Sequence, residues 1–424
     1  MPPSSHAHAH GPDPDAPPPS PETLTRRRRA VWLMLVLLVP AGLATLVGLV
    51  VLWPGDGPTR AQQVAETFLP PGTTYPDGRI VSLETVPCGE AGTVQATCGT
   101  AVVEVLEGEG AGEFQQVDLS AEVLANGVGE GDTVVLSRDP GADGGPSYQF
   151  FDFERTTPMV VLVVAFALVT AAVARLRGLA ALVGLAFAFF VLIRFVLPGL
   201  LQGSSPTMVS LVGSAAIMFV VLYLAHGFSA RTTTALVGTL FGLALVTVMG
   251  AVSVEVARLT GLTSEETTQL ATFDPALDFS GLVIAGIVVA GLGVLNDVTI
   301  TQASAIWQLH EVDPAMGWRD LYRRGMAVGR DHIASTVYTI VFAYAGAALP
   351  LLLLFDLYSQ PAGTILTSSA LAEEVIRTLV GSIALVLAVP VTTAVGAFFA
   401  TAAGTTAGAT PERGLSALRA RFAR

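Results

Sequence analysis

Repeated apolar runs, nearly free of charge, dominate this chain and restrict it more than any other feature. A hydrocarbon layer of ~30 Å takes roughly 20 apolar residues to cross as a helix. Lipid offers no partner to backbone N–H and C=O groups, so such a run must close its hydrogen bonds within itself. Runs of this kind lie at 31–53, 158–174, 178–197, 207–225, 233–254, 280–308, 332–355 and 375–400. They predict a mainly α fold, a polytopic transmembrane bundle of about eight spans. Composition agrees: 52% of residues are hydrophobic and 13% charged, too few polar groups to coat a soluble protein of this size. The net charge is −12, the basic residues are all Arg, and they sit in short clusters, which excludes nucleic-acid binding through a broad basic field.

The remaining sequence divides around these runs. Residues 1–29 are Pro- and Ala-rich and read as a disordered cytoplasmic tail. His6, His8 and His10 within it are either metal ligands or, more simply, part of that tail. Arg26 to Arg29 followed by Val31 to Trp53 resemble the start of a signal peptide, but the run is too long and no small-residue cleavage site follows. Residues 30–54 therefore read as a retained transmembrane anchor. Residues 55–157 are acidic and Gly-rich, with alternating stretches at Arg79 to Val86, Thr100 to Glu107, Phe114 to Leu119, Thr133 to Ser137 and Tyr148 to Phe153. Five turn-separated strands predict a small β-rich domain, a barrel or sandwich, with an OB-like arrangement among the options. A short helix over Ala61 to Leu69 leads into it. Residues 158–405 form a seven-span block, and 406–424 a basic cytoplasmic tail whose Leu415, Leu418 and Phe422 share a face suited to an anionic leaflet.

Arg placement sets the orientation, because cytoplasmic loops keep an excess of basic residues. With the N-terminus inside, Arg26 to Arg29, Arg175, Arg177, Arg231, Arg319, Arg323, Arg324, Arg330 and the four Arg of the C-terminal tail are cytoplasmic. Arg60, Arg79, Arg138, Arg155 and Arg258 are then outside, and so is the β-rich domain. Both termini are cytoplasmic. Outside the cytoplasm, where the β-rich domain lies, Cys88 and Cys98 are candidates for a disulfide, with two reduced thiols as the alternative.

A carboxylate in the middle of an apolar helix costs about 2.5–3.5 kcal/mol on insertion scales, so it needs a partner, water or a function. Asp297, with Asn296 beside it, is the clearest instance. Asp297, Thr301, Ser304 and Gln308 fall on one helical stripe. Such a stripe lines a cavity or meets a polar helix; for Thr301 and Ser304 alone, interhelical hydrogen bonding is the simpler reading. Further on, Pro314 to Gly329 reads as a helix at the membrane surface. Arg330, Asp331 and His332 follow at the inner mouth of the next span, where His332 is suited to relaying a proton and Arg330 to anchoring at headgroups. Arg194 and Glu255, near the ends of two spans, are a candidate ion pair. No zinc-protease motif, nucleophile elbow or Walker loop is present, and Asp297 has no second buried carboxylate to form a dyad. The expectation is a protein that is not an enzyme, with no catalytic residues, no metal site and no cofactor.

The arrangement of one N-terminal span, a β-rich segment and a seven-span block resembles the bacterial YibE/F-like membrane proteins. The resemblance rests on the Gly-rich sequence leading to an Asp, here Gly291 to Ser304, and on Gly329-Arg330-Asp331 at the entry to the next helix. It covers roughly residues 30–405 and implies an architecture in a bacterial plasma membrane, without naming a substrate. Together these readings predict a permease or transport-related protein in which Asn296, Asp297, Thr301 and Ser304 line a polar site reached past Arg330, Asp331 and His332. Its partners are then the lipid bilayer and a small solute or ion, with no nucleic acid. The rival reading is a scaffold or sensor that presents the β-rich domain to an envelope partner or assembles as a homo-oligomer.

Overall fold

A computed structural model describes residues 21–68, 72–88, 96–141, 145–357 and 361–403. The His6, His8 and His10 tract and the basic 406–424 tail lie outside them. The described chain is mostly helical, with one small antiparallel sheet. In chain order it comprises α1 (Pro21–Val51), α2 (Arg60–Phe68), β1 (Asp77–Cys88), β2 (Ala96–Val105), β3 (Phe114–Leu119), α3 (Ala121–Ala125), β4 (Thr133–Asp139), β5 (Ser147–Phe153) and α4 (Thr156–Val191). A π-helical turn (Leu192–Val196) then leads into α5 (Leu197–Leu201), α6 (Pro206–His226), α7 (Ala230–Val256), α8 (Glu265–Phe273), α9 (Phe279–Val312), α10 (Trp318–Ala347), α11 (Leu349–Leu357), α12 (Ala362–Leu366) and α13 (Ser369–Ala403). Arg26 to Arg29, expected in the tail, continue α1 toward its N-terminus, since Arg is a good helix former and no Gly or Pro lies between Pro21 and Arg29.

The chain forms two compact units, residues 57–179 in one and the flanking segments in the other. In the first, the five strands run in the order β3-β2-β1-β4-β5, all antiparallel, and β3 and β5 approach each other. Period-two alternation sends Ile80, Ala101, Val103, Val105, Val117, Leu119, Val134 and Leu136 into one core. A bulge between Ile80 and Ser82 bends the long strand β1. At its far end Cys88 and Cys98 are joined in a disulfide, with Cα atoms 5.6 Å apart. Arg138 is the one strongly buried charge described in this core: its guanidinium pairs with Glu109 at 2.8 Å and its Nε donates to the Tyr148 hydroxyl at 3.2 Å.

The same unit contains the first part of α4. Arg175 there has φ 54° and ψ −132°, and a Cβ on Gly178 would collide with the Thr170 carbonyl oxygen. Residues eight apart in a straight helix stand ~12 Å apart. The chain therefore turns back on itself at Arg175, between the predicted spans 158–174 and 178–197.

In the second unit, helices pack through small residues. Along α7, Gly238, Gly242, Val246 and Gly250 face Thr299, Leu295, Gly291 and Ile287 of α9 in turn. Every step of four residues along one helix is matched by four backward along the other, which is antiparallel packing of two i±4 ridges. The same logic makes α10 antiparallel to α9, with Gly325 against Ile306 and Gly329 against Gln302, and antiparallel to α13, with Gly329 against Val389. It makes α9 and α13 parallel, and α1 antiparallel to α6, through Gly48 on Val212 and Gly42 on Phe219.

Among the described residues, six helical stretches are long and apolar enough to cross a membrane: Val31–Val51, Thr156–Leu201, Pro206–His226, Ala230–Val256, Phe279–Val312 and Ser369–Ala402. The count of eight differs from this at two places. The pair 158–174 and 178–197 falls in the single stretch Thr156–Leu201, which the Arg175 turn interrupts. The run 332–355 is not one helix: α10 starts at Trp318, carries charge through its first half and stops at Ala347, where Pro350 cannot donate to the preceding turn.

Candidate functional site

The 34 residues of α9 carry the sequence-predicted site. Asp278 caps the helix, its carboxylate accepting from the Gly281 N–H at 2.8 Å. Nearly every α9 residue beyond Phe279 is buried or half-buried against α6, α7, α10 and α13. Apart from Glu311 and Val312 at its end, the exception is a narrow stripe of Gly293, Asp297, Thr301 and Gln308, which is exposed, with Ser304 half-buried at its edge. The polar stripe read from the sequence thus exists as a face, but it looks outward from the bundle and no described helix covers it. Asp297 forms no hydrogen bond or ion pair among the described residues. Asn296 is half-buried, and its Oδ1 is shielded from solvent without a hydrogen-bond partner.

The segment before Arg330 is not a separate surface helix. Trp318 to Gly329 is the first half of α10, with Leu321, Gly325 and Gly329 buried among α9 and α13. Gly residues four apart permit that close approach, which a charge count along the sequence conceals. Since Gly329 packs on Gln302, Arg330 lies level with Thr301 rather than at a mouth. Arg330 and Asp331 are exposed, and His332 is half-buried with an unpartnered, shielded Nε2. The structure brings these residues to within about a turn of Asp297 in depth but joins none of them to it by an ion pair. Arg194 and Glu255 are both exposed and form no ion pair with each other.

Sequence reasoning missed the polar groups that do occupy the interior. Thr239 and Thr299 share a hydrogen bond at 2.6 Å, and Gln302 Nε2 donates to the Gly325 carbonyl at 2.9 Å and to Thr393 Oγ1 at 2.8 Å. All of these side chains are fully or almost fully buried. Four helices are thereby tied together at one depth. The available signal was the pair of GxxxG spacings, Gly238 to Gly242 and Gly325 to Gly329, each of which opens a backbone to a neighbour. Also missed was the setting of Arg377. It is about three-quarters buried, pairs with Glu374 at 2.8 Å and Glu373 at 3.3 Å, and stands against Gly286 of α9. Glu373 in turn accepts from Thr263 at 2.8 Å, so the α7–α8 connection is fastened to α13.

Chemically, this is a set of hydroxyls and amides inside, and unpaired charges on the outer surfaces of α9 and α10. No three His, Cys, Asp or Glu side chains gather to hold a metal among the described residues. Comparison with curated proteins and with solved structures finds no match. The family described as YibE/F-like protein matches residues 162–402, which takes in α6, α7, α9, α10 and most of α13 with both the Asp297 stripe and the Gly329 segment, and leaves out α1 and the sheet. That stretch is more than half of the chain, and the protein belongs to the YibE/F-like family.

Proposed function

We propose that this membrane protein passes a small polar solute or ion, with Asp297 as the central station and Asn296, Thr301 and Ser304 beside it. Arg330, Asp331 and His332 then lead toward the station from the cytoplasmic side. The observation that carries the reading is the unpartnered Asp297 carboxylate on the outward face of α9, eighteen residues from its start and fifteen from its end. An isolated carboxylate there costs about 2.5–3.5 kcal/mol, which fold stability alone does not demand. The distribution of Arg supports cytoplasmic termini and an outer position for the β-rich unit, and the family resemblance supports a bacterial plasma-membrane setting. The disulfide supports an oxidising compartment for that unit. The strand order with α3 between β3 and β4 supports an OB-like reading of it. The absence of nucleophile and metal motifs from the sequence supports a role other than catalysis.

The test is flux into proteoliposomes, followed with a trapped pH dye and with sodium and potassium indicators, for the wild type and Asp297→Asn. Asp297→Asn is expected to insert at normal abundance and lose flux; equal flux in the two proteins removes the idea. One observation favours a scaffold instead: the sheet has its own closed core and lies outside the family match. Deletion of residues 58–152 separates the two readings, because a scaffold loses its cellular phenotype with that unit and is indifferent to Asp297.

A further inference from the structure

Three charged side chains lie on the outer surfaces of α9 and α10 at hydrocarbon depth: Asp297 on α9, and Arg330 and Asp331 on α10. All three are exposed, and none has an ion-pair partner among the described residues. The depth follows from register. α9 is ~51 Å long against a hydrocarbon layer of ~30 Å, so residues near its middle lie well inside that layer. Asp297 is close to the centre of α9, and the packing of Gly325 on Ile306 and Gly329 on Gln302 puts Arg330 one turn, ~6 Å, to its cytoplasmic side. An Arg there has a stem long enough to reach headgroups; an Asp does not. Lipid is a poor cover for this face.

We propose that a second copy of this chain covers it, in a two-fold dimer whose axis runs along the membrane normal, with Asp297 of one protomer paired to the partner subunit's Arg330. Such an axis preserves depth, so residues one turn apart within a copy remain one turn apart across the seam, within the reach of an Arg side chain. The face is also self-complementary in charge, carrying both a cation and carboxylates, which is what an isologous contact requires. The contact forms twice per dimer and gives Asp297 and Arg330 of each copy a partner in a medium that supplies none. The solute route then runs along the seam between copies. That last point rests on the transport reading, whereas the pairing does not.

The chain has two cysteines, joined to each other, so Thr301→Cys introduces a unique free thiol on this face. In native membranes a bifunctional maleimide is expected to convert Thr301→Cys to a covalent dimer and to leave Val248→Cys, on the exposed face of α7, monomeric. Asp297→Arg or Arg330→Asp added to Thr301→Cys should abolish crosslinking, and the two reversals together should restore it. Should a reversal fail to insert, photobleaching of labelled wild type in nanodiscs decides: two steps are expected. Single-step bleaching, or crosslinking at Thr301→Cys that ignores both reversals, overturns the dimer. A crosslinked dimer without flux removes the transport reading and leaves the interface standing; flux from a single-step species does the reverse.

Discussion

The sheet and the helical bundle differ in what they expose: the bundle hides polar as well as apolar residues and leaves many large apolar ones outside. In the β sheet, Val103, Val134 and Leu136 are wholly buried, and of the charged side chains only Arg138 is strongly buried, with Glu109 as its partner. In the bundle, Val248 is 62% exposed while Thr239, Thr299 and Gln302 are inside. Around the bundle apolar surface is no penalty, and helices associate through close backbone approach and hydrogen bonds. Burial therefore reports hydropathy in one unit and the ability to pack tightly in the other. The contrast assigns the sheet and the bundle different solvents.

The largest effect expected from this contrast is in the sheet. Leu136→Ala should cost the β unit about 2–5 kcal/mol and leave helix protection unchanged, as hydrogen exchange on the full-length protein would report; equal loss in both units would erase the distinction. Next, Val248→Arg on α7 should reduce membrane insertion by about 2.5–3.5 kcal/mol. Val86→Arg, similarly exposed but on β1, should stay within about 0.5 kcal/mol. If the two surfaces tolerate Arg alike, they share a solvent. Replacing Cys88 and Cys98 together by Ser should remove ~3 kcal/mol from the β unit, because a cross-link of this span restricts the unfolded chain. In the bundle interior Thr299→Val loses an interhelical hydrogen bond to Thr239 and should cost only ~0.6 kcal/mol in a steric-trapping measurement.

The smallest effect is a pH dependence. Partial burial, with Glu107 and Glu154 nearby, holds the Asp77 carboxyl above its ordinary 3.8. The folded β unit then binds that proton more readily than the unfolded chain does. Ionised Asp77 weakens the fold at neutral pH, and the deficit fades as pH falls through the raised value and below the ordinary one. Asp77→Asn should thus stabilise the sheet at about pH 7 and give no gain at about pH 3; a gain of the same size at both would assign the effect to something other than charge.

Much of the fold was legible because each period is written in the chain. Alternation located all five strands to within a few residues, with Phe114–Leu119 as expected, and the apolar runs located the long helices. Strand alternation survives because one sheet face meets a core. In the bundle, length and hydropathy say that a helix spans but not which side it shows to its neighbours. Asp297 stood out by chemistry alone, yet its outward aim depends on which flank of α9 receives α10, and that is fixed by Gly325 and Gly329 fitting Ile306 and Gln302. Nothing in the sequence marks Gln302 as interior; the same contacts put it there. The charges at the start of α10 suggested a surface helix because hydropathy averages over all sides, whereas Leu321, Gly325 and Gly329 occupy one side only.

The matched steps of α7 and α9 limit how this protein can move. Knob and notch recur every fourth residue, so the pair fits again only after a shift of ~6 Å, a whole helical turn. Smaller slips drive Leu295 out of the hollow at Gly242 and Val246 out of the hollow at Gly291 together. The two helices are a ratchet held at one tooth. Any change of shape that serves the Asp297 face must swing them as a single stiff spar, with compliance supplied by helices that lack such teeth.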